Sequence, residues 1–331
     1  MRREAYMARQ ARGNGIAIFG IQTKRKGLAC VLVALLMCLA ALCGCAQTSV
    51  RVTESSGSQL DTKASVNDYS WDELADISDA IAGAESDDEA LKIAESYHLC
   101  SAEGKLDGSQ QKQFTLADGT QVAAQIIGFR HDDKADGSGK AGLTFLLTAP
   151  LDFRAANGNG STDGGWEQSE MRAWLGSEGL NLFPADLQAH MKAVQKMTNN
   201  TGAVDGAQAA TATQDTLWLL SAVEITGPVE AGTIEDDEDG ALTALYNAEG
   251  SRYQLYEDTD VDCGRATSKK YDIGTLNEVL VRKNGEDPCM WWERSVHDGS
   301  ATDFYCVMHG GSPIGDAGAA YEHGLVPAFC L

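Results

Sequence analysis

The chain has 331 residues, with 26 Lys/Arg against 48 Asp/Glu and a formal net charge of −22. So acidic a surface repels nucleic acid and anionic headgroups, which argues against nucleic acid as a partner and leaves solubility, cationic partners or calcium as its uses. The length allows a large single core.

Near the start, Lys24-Arg25-Lys26 precedes an uncharged apolar run from Gly27 to Cys43. A basic stretch, then an apolar segment too short for a comfortable span of about 20 residues, then small residues, is the layout of a secretory signal. Leu42-Cys43-Gly44-Cys45 resembles the lipobox of bacterial lipoproteins. The resemblance implies diacylglycerol in thioether linkage to Cys45, with Gly44 as the small residue before the cleavage point. Two or more acyl chains make a durable anchor. The expected partner is therefore the lipid bilayer, held through acylated Cys45 on the outer face of the cell membrane. A Cys43/Cys45 metal site and an uncleaved anchor helix are the alternatives. Residues 1–44 hold seven Lys/Arg and one acid, so residues 45–331 carry 19 basic and 47 acidic ones, a net charge near −28.

Residues 45–68 read as a flexible spacer rich in Ser, Thr and Gly. Residues 69–104 read as a helical hairpin: Ser70-Trp71-Asp72-Glu73 and Ser86-Asp87-Asp88-Glu89 each start a helix, ending near Ala82 and Tyr97. Leu74, Ile77 and Ile81 have helical spacing, as do Ala90, Ile93 and Tyr97. From 105 the pattern becomes a β-hairpin around Asp118-Gly119, then a buried strand over 143–149. Helices are predicted over 166–175 and 185–196, and strands over 216–227, 290–295, 304–308 and 326–331. Without a regular βαβ rhythm, residues 105–331 read as one α+β domain.

The succession GGWEQSEMRAWL, TLWLLSAVEITG, WWERS, a Phe-Tyr-Cys-Val strand and GLVPAFCL resembles a bacterial family catalogued as domain of unknown function 6273. The resemblance covers most of residues 105–331. Leu325-Val326 stands where the family often has Val-Arg, and Glu293 stands where it has an aliphatic residue. The closing Trp/Arg and Gly-x-x-Pro-Ala-Phe strands are also similar to the C-type-lectin-like and formylglycine-generating-enzyme-like folds. That implies a C-type-lectin-like mixed domain after the hairpin, with long loops free for ligand contact.

Strand alternation puts Trp291, Glu293 and Ser295 on one side and Met290, Trp292 and Arg294 on the other. One reading makes Trp291 and Trp292 ligand-facing aromatics that stack on a sugar. The other, favoured by the family pattern, buries both and pairs Arg294 in a structural polar network with Glu224 and Arg172. Export permits disulfides, and Cys263–Cys289 with Cys306–Cys330 is the pairing expected among five cysteines beyond Cys45. The acidic run Glu235–Gly240 misses the calcium-loop pattern, with Glu at its first position and Tyr246 at its closing one. The chain has no H-E-x-x-H, G-x-S-x-G or phosphate-binding glycine motif, so no catalytic residue, cofactor or metal is expected. The resulting expectation is a non-enzymatic module for an unidentified extracellular glycan, peptide or protein. An enzyme related to the formylglycine-generating fold and a structural envelope component are the alternatives.

Overall fold

A computed structural model describes residues 60–203, 209–234, 237–262 and 277–331. Cys45 and Cys263 lie outside the described residues. The hairpin comes first, as α1 (Trp71–Ala82) and α2 (Asp87–Ser96). The Ser70 hydroxyl accepts from the Glu73 amide at 3.1 Å while the Glu73 carboxylate accepts from the Ser70 amide at 2.7 Å. This reciprocal pair satisfies two of the amides that a helix start leaves without partners. Trp71, Leu74, Ile77 and Ile81 form the buried stripe of α1.

Four antiparallel strands make the first sheet: β1 (Gln111–Thr115), β2 (Gln121–Phe129), β3 (Leu143–Leu147) and, from the far end of the chain, β13 (Ala328–Cys330), in the order β1-β2-β3-β13. The Asp118-Gly119 turn sits in the β1–β2 connection, with Gly119 at φ +91°, a conformation glycine adopts without steric cost. Helix α1 lies against β3. The Ser78 hydroxyl donates to the Leu331 carbonyl at 2.7 Å and accepts from the Leu143 amide at 3.0 Å, tying α1 to the C-terminus. The approach is so close that a Cβ on Gly142 would lie 1.9 Å from the Ser78 carbonyl oxygen. Hairpin and sheet therefore share one core, within a compact unit spanning Gln59–Leu331.

The second sheet has the order β11-β10-β9-β12-β4, with β4 (Asp152–Ala155), β9 (Trp291–Val296), β10 (Asp303–Val307), β11 (Gly315–Gly318) and β12 (Glu322–Leu325). Two hairpins flank the sheets, β5 (Val194–Thr198) with β6 (Thr211–Asp215), and β7 (Arg282–Asn284) with β8 (Asp287–Cys289). Short helices fill the connections: α3 (Glu170–Trp174), α4 (Ala185–Gln188), α5 (Ala222–Thr226), α6 (Ala241–Ala248) and α7 (Gln254–Asp258). The class is α+β. Among the described residues, no helix is long and apolar enough to cross a membrane.

Three elements differ from the sequence expectation. The predicted helix over 166–175 starts only at Glu170, where the Ser169 hydroxyl accepts from the Arg172 amide at 3.2 Å. The helix predicted over 185–196 stops at Gln188, and Val194–Thr198 turns into β5 because β6 supplies a full ladder of partners. In 216–227, only Trp218 makes a strand-like bridge, to Ala328, and the second half folds as α5. Its start is set by Glu224, whose carboxylate accepts from the Ser221 amide at 3.0 Å.

Candidate functional site

Beneath α5 and β9 lies a cluster of charges that five separate segments bring together. Strand β5 has its alternate residues Val194, Lys196 and Thr198 buried, so a lysine occupies a core position. Lys196 Nζ donates to Asp132 Oδ1, to Glu224 Oε1 at 2.8 Å and to the Tyr253 hydroxyl at 3.0 Å. All three ammonium donors are thereby used. Arg294, fully buried on β9, forms a fork with Glu224, with Nη2 donating to Oε1 at 3.1 Å and Nη1 to Oε2. Its remaining donors reach Thr198 Oγ1 at 2.8 Å and the carbonyls of Leu219 and Glu249 at 2.9 and 2.8 Å.

Asp132 also accepts from Thr144 Oγ1 at 2.6 Å and from the Tyr253 hydroxyl at 2.9 Å. Burial would raise its pKa, but the Lys196 charge holds the carboxyl well below the usual range. Burial likewise pulls Lys196 down, and the Asp132 and Glu224 carboxylates more than offset that, leaving it raised. Glu224 is lowered, because Arg294 and Lys196 together outweigh its desolvation. Glu249 is the exception: burial pushes its pKa up to about 6, despite Arg294 nearby and hydrogen bonds from the Ser295 hydroxyl and the Asn199 amide.

The residues singled out by sequence divide as follows. Glu224 and Arg294 meet. Arg172 does not join them; its Nε donates to Asp215 Oδ1 at 2.7 Å, and Trp166 Nε1 donates to the other oxygen of Asp215 at 3.1 Å. Lys196, Asp132, Glu249 and Tyr253 were not singled out. A lysine in phase with Val194 and Thr198 and the Ser221-x-x-Glu224 box were the two signals available.

Two further expectations are corrected. Trp291 and Trp292 are not ligand-facing: all six residues of β9 are buried, with β10 and β12 paired along its edges and both indoles packed into the hydrophobic core. Their indole N–H groups donate to the Leu280 and Arg154 carbonyls at 3.0 and 2.8 Å. The Cys306–Cys330 bridge is not formed, since the residues lie in different sheets. Cys306 Sγ contacts Met308 Sδ at 3.9 Å, and Cys330 Sγ sits 3.3 Å from Thr144 Oγ1. Cys100 and Cys289 are free thiols as well.

In the acidic run, Asp237 accepts from the Leu242 and Thr243 amides at 2.9 and 2.8 Å and so caps the start of α6. Among the described residues, no group of three or more His, Cys, Asp or Glu is placed to hold a metal.

A second site is open to solvent. A cleft of about 610 Å³ lies between the polar face of the first sheet, with Gln111, Gln125 and Thr148, and the segments carrying Asp260, Asp262, Glu278 and Arg282. Cross-strand pairing of Gln111 with Gln125 puts both amides on one face. Gln125 is 3% exposed and its Nε2 has no hydrogen-bond partner; Arg282, equally buried, has Nε and Nη2 without partners while Nη1 donates to the Val279 carbonyl at 2.9 Å. Buried donors left unsatisfied are uncommon and costly. Asp107, held by the Ser109 amide at 2.9 Å, adds a further carboxylate to the lining.

A family model described as a domain of unknown function, DUF6273, matches residues 141–331. No curated protein matches the chain, and no solved structure does.

Proposed function

The chain belongs to the DUF6273 family, and on that premise we propose that it is a lipid-anchored extracytoplasmic protein whose lectin-like α+β domain binds a ligand without transforming it. The cleft over the first sheet is the binding site. The observation that carries this reading is the pairing of an open polar cleft with buried, unpartnered donors on Gln125 and Arg282 among its lining residues. Such donors gain most from a ligand that presents carbonyl, hydroxyl or carboxylate oxygens. Asp107, Asp260 and Glu278 favour a ligand that is neutral or cationic elsewhere. A peptide or a polar glycan meets both requirements.

The state of the nucleophiles supports binding over turnover. Burial pushes the Cys100 thiol up to about 12 and also raises Cys306 and Cys330, so none is poised as a thiolate. The buried carboxylates Asp132 and Glu224 are tied to Lys196 and Arg294. The anchor rests on the lipobox-like Leu42–Cys45 and the basic–apolar run before it.

A peptide and glycan array read with the purified protein tests the binding reading. Retention on a defined subset, lost in Gln125→Ala and Arg282→Ala, is the expected outcome. Silence across the array from demonstrably folded protein would refute it. For the anchor, the mass of the N-terminal fragment should show acyl chains on Cys45 that disappear in Cys45→Ala. Identical unmodified N-termini would remove that part.

A further inference from the structure

The Lys196 cluster has the composition and arrangement of a self-contained acylation centre. Its amine, carboxyl group and second carboxylate are all essentially sealed from solvent: Lys196 and Asp132 are each 3% exposed and Glu224 1%. Lys196 Nζ touches Asp132 Oδ1 and lies 2.8 Å from Glu224 Oε1. The Trp218 ring lies 4.6 Å from Nζ and the Tyr253 ring 5.5 Å. We propose that Lys196 and Asp132 become joined side chain to side chain by an isopeptide bond, formed by the protein itself with Glu224 relaying the proton.

The chemistry balances within the cluster. A proton passes from Nζ to Oδ1, converting the ion pair into neutral amine and carboxylic acid. Because the two groups hold each other charged at rest, this transfer is the uphill first step, and burial lowers its cost by removing two desolvated charges. The nitrogen lone pair then attacks Asp132 Cγ. As the C–N bond forms, the carbonyl π pair moves onto Oδ2, and Glu224 Oε1 takes one proton from nitrogen. When the oxyanion collapses, the Cγ–Oδ1 bond breaks and Glu224 returns its proton to the leaving hydroxyl. One amide and one water result from one ammonium and one carboxylate, and no oxidant or cofactor is consumed.

Each neighbour has a part in that sequence. Oδ2 accepts from Thr144 Oγ1 at 2.6 Å, and the Tyr253 hydroxyl lies 2.9 Å from Oδ1 and 3.1 Å from Oδ2. One donor therefore points at the oxygen that becomes the oxyanion, and a second is within reach of it as Oδ1 leaves. Arg294 and the Ser221 amide hold Glu224 in place. The reactants are fixed by the fold, which removes the entropic cost of bringing amine and acid together. Exclusion of water keeps the amide from being hydrolysed. The bond would tie two segments 64 residues apart into a covalent loop, in a protein whose five later cysteines include at least four free thiols. The inference does not depend on the cleft or on the anchor.

The test is a peptide map of the full-length protein, denatured and digested with trypsin. Acylated Lys196 is not a cleavage site, so residues 131–134 should be recovered attached to residues 193–252, lighter by one water than the two separate peptides. Fragment spectra should place the link at Asp132 rather than Asp133. Lys196→Arg and Glu224→Gln should return residues 131–134 as a free peptide. Because either variant can fail to fold, the parent protein alone is decisive: a free 131–134 peptide with complete cleavage after Lys196 overturns the proposal, as does a link through any other pair.

Discussion

Arg294→Met removes one positive charge and a six-bond hydrogen-bonding hub from a site with no solvent access, while keeping much of the side-chain volume. Glu224 would keep only Lys196 and the Ser221 amide, and the carbonyls of Leu219 and Glu249 would lose a donor. Breaking a buried ion pair from one side costs about 3–5 kcal/mol. Against a total stability of about 5–15 kcal/mol, that is a large fraction. At about 2–4 °C per kcal/mol for a domain of this size, the midpoint should fall by about 6–20 °C. Glu224→Met alone should be comparably damaging, since it leaves the guanidinium without its carboxylate. The double variant restores charge balance, and replacing a whole buried pair with apolar groups is often close to neutral. Thermal and urea unfolding followed by circular dichroism on all four proteins gives the coupling energy. We expect the double variant to be more stable than either single one. Additive losses, or a single loss under about 1 kcal/mol, would refute the view that the pair is a closed electrostatic unit.

Glu249 carries a pH signature. Its folded pKa of about 6 lies above the ordinary 4.5, so the protonated form is preferred in the fold. The stability it contributes is present below about pH 4.5 and is lost as pH rises through 6, by about 2 kcal/mol at 1.36 kcal/mol per pKa unit. Unfolding free energies from urea titrations should therefore fall between pH 4.5 and 7 by that amount more in the parent than in Glu249→Gln, and equal pH dependence in the two would count against it. Gly142→Ala forces a methyl against the Ser78 carbonyl and should cost about 1–3 kcal/mol or more, with amide exchange of α1 accelerated. An unchanged α1 would contradict the close docking. Cys306 and Cys330, each fully buried, should resist thiol reagents in the native protein and react only on unfolding. Labelling of either under native conditions would show that their segments open.

Much of the scaffold was legible from local chemistry. The Ser70 and Ser86 boxes mark α1 and α2 because capping needs a hydroxyl followed by an acid three residues on. MWWERS and FYCVM read as strands, and β9 and β10 occupy Trp291–Val296 and Asp303–Val307. Where the reading missed, a distant partner had overruled a local pattern. Val194–Thr198 has enough helical character to extend α4, yet β6 pairs with it residue for residue. The apolar run before Glu224 suggested a strand, and the same glutamate that caps α5 ended it.

By itself, the sequence determined the two capped helices of the hairpin, the β-hairpin around Asp118-Gly119, the strands at 290–295 and 304–308 and, through an ordered set of motifs, the family, because each signal is written in local spacing. Tertiary structure alone decided which charges meet, that both tryptophans of β9 are covered, and that Cys306 and Cys330 stay apart. Those outcomes depend on which segments the two sheets bring into contact. The Lys196–Asp132–Glu224 cluster is the plainest instance: its members sit 64 and 28 residues apart along the chain, and only burial of the surrounding strands puts one amine between two carboxylates.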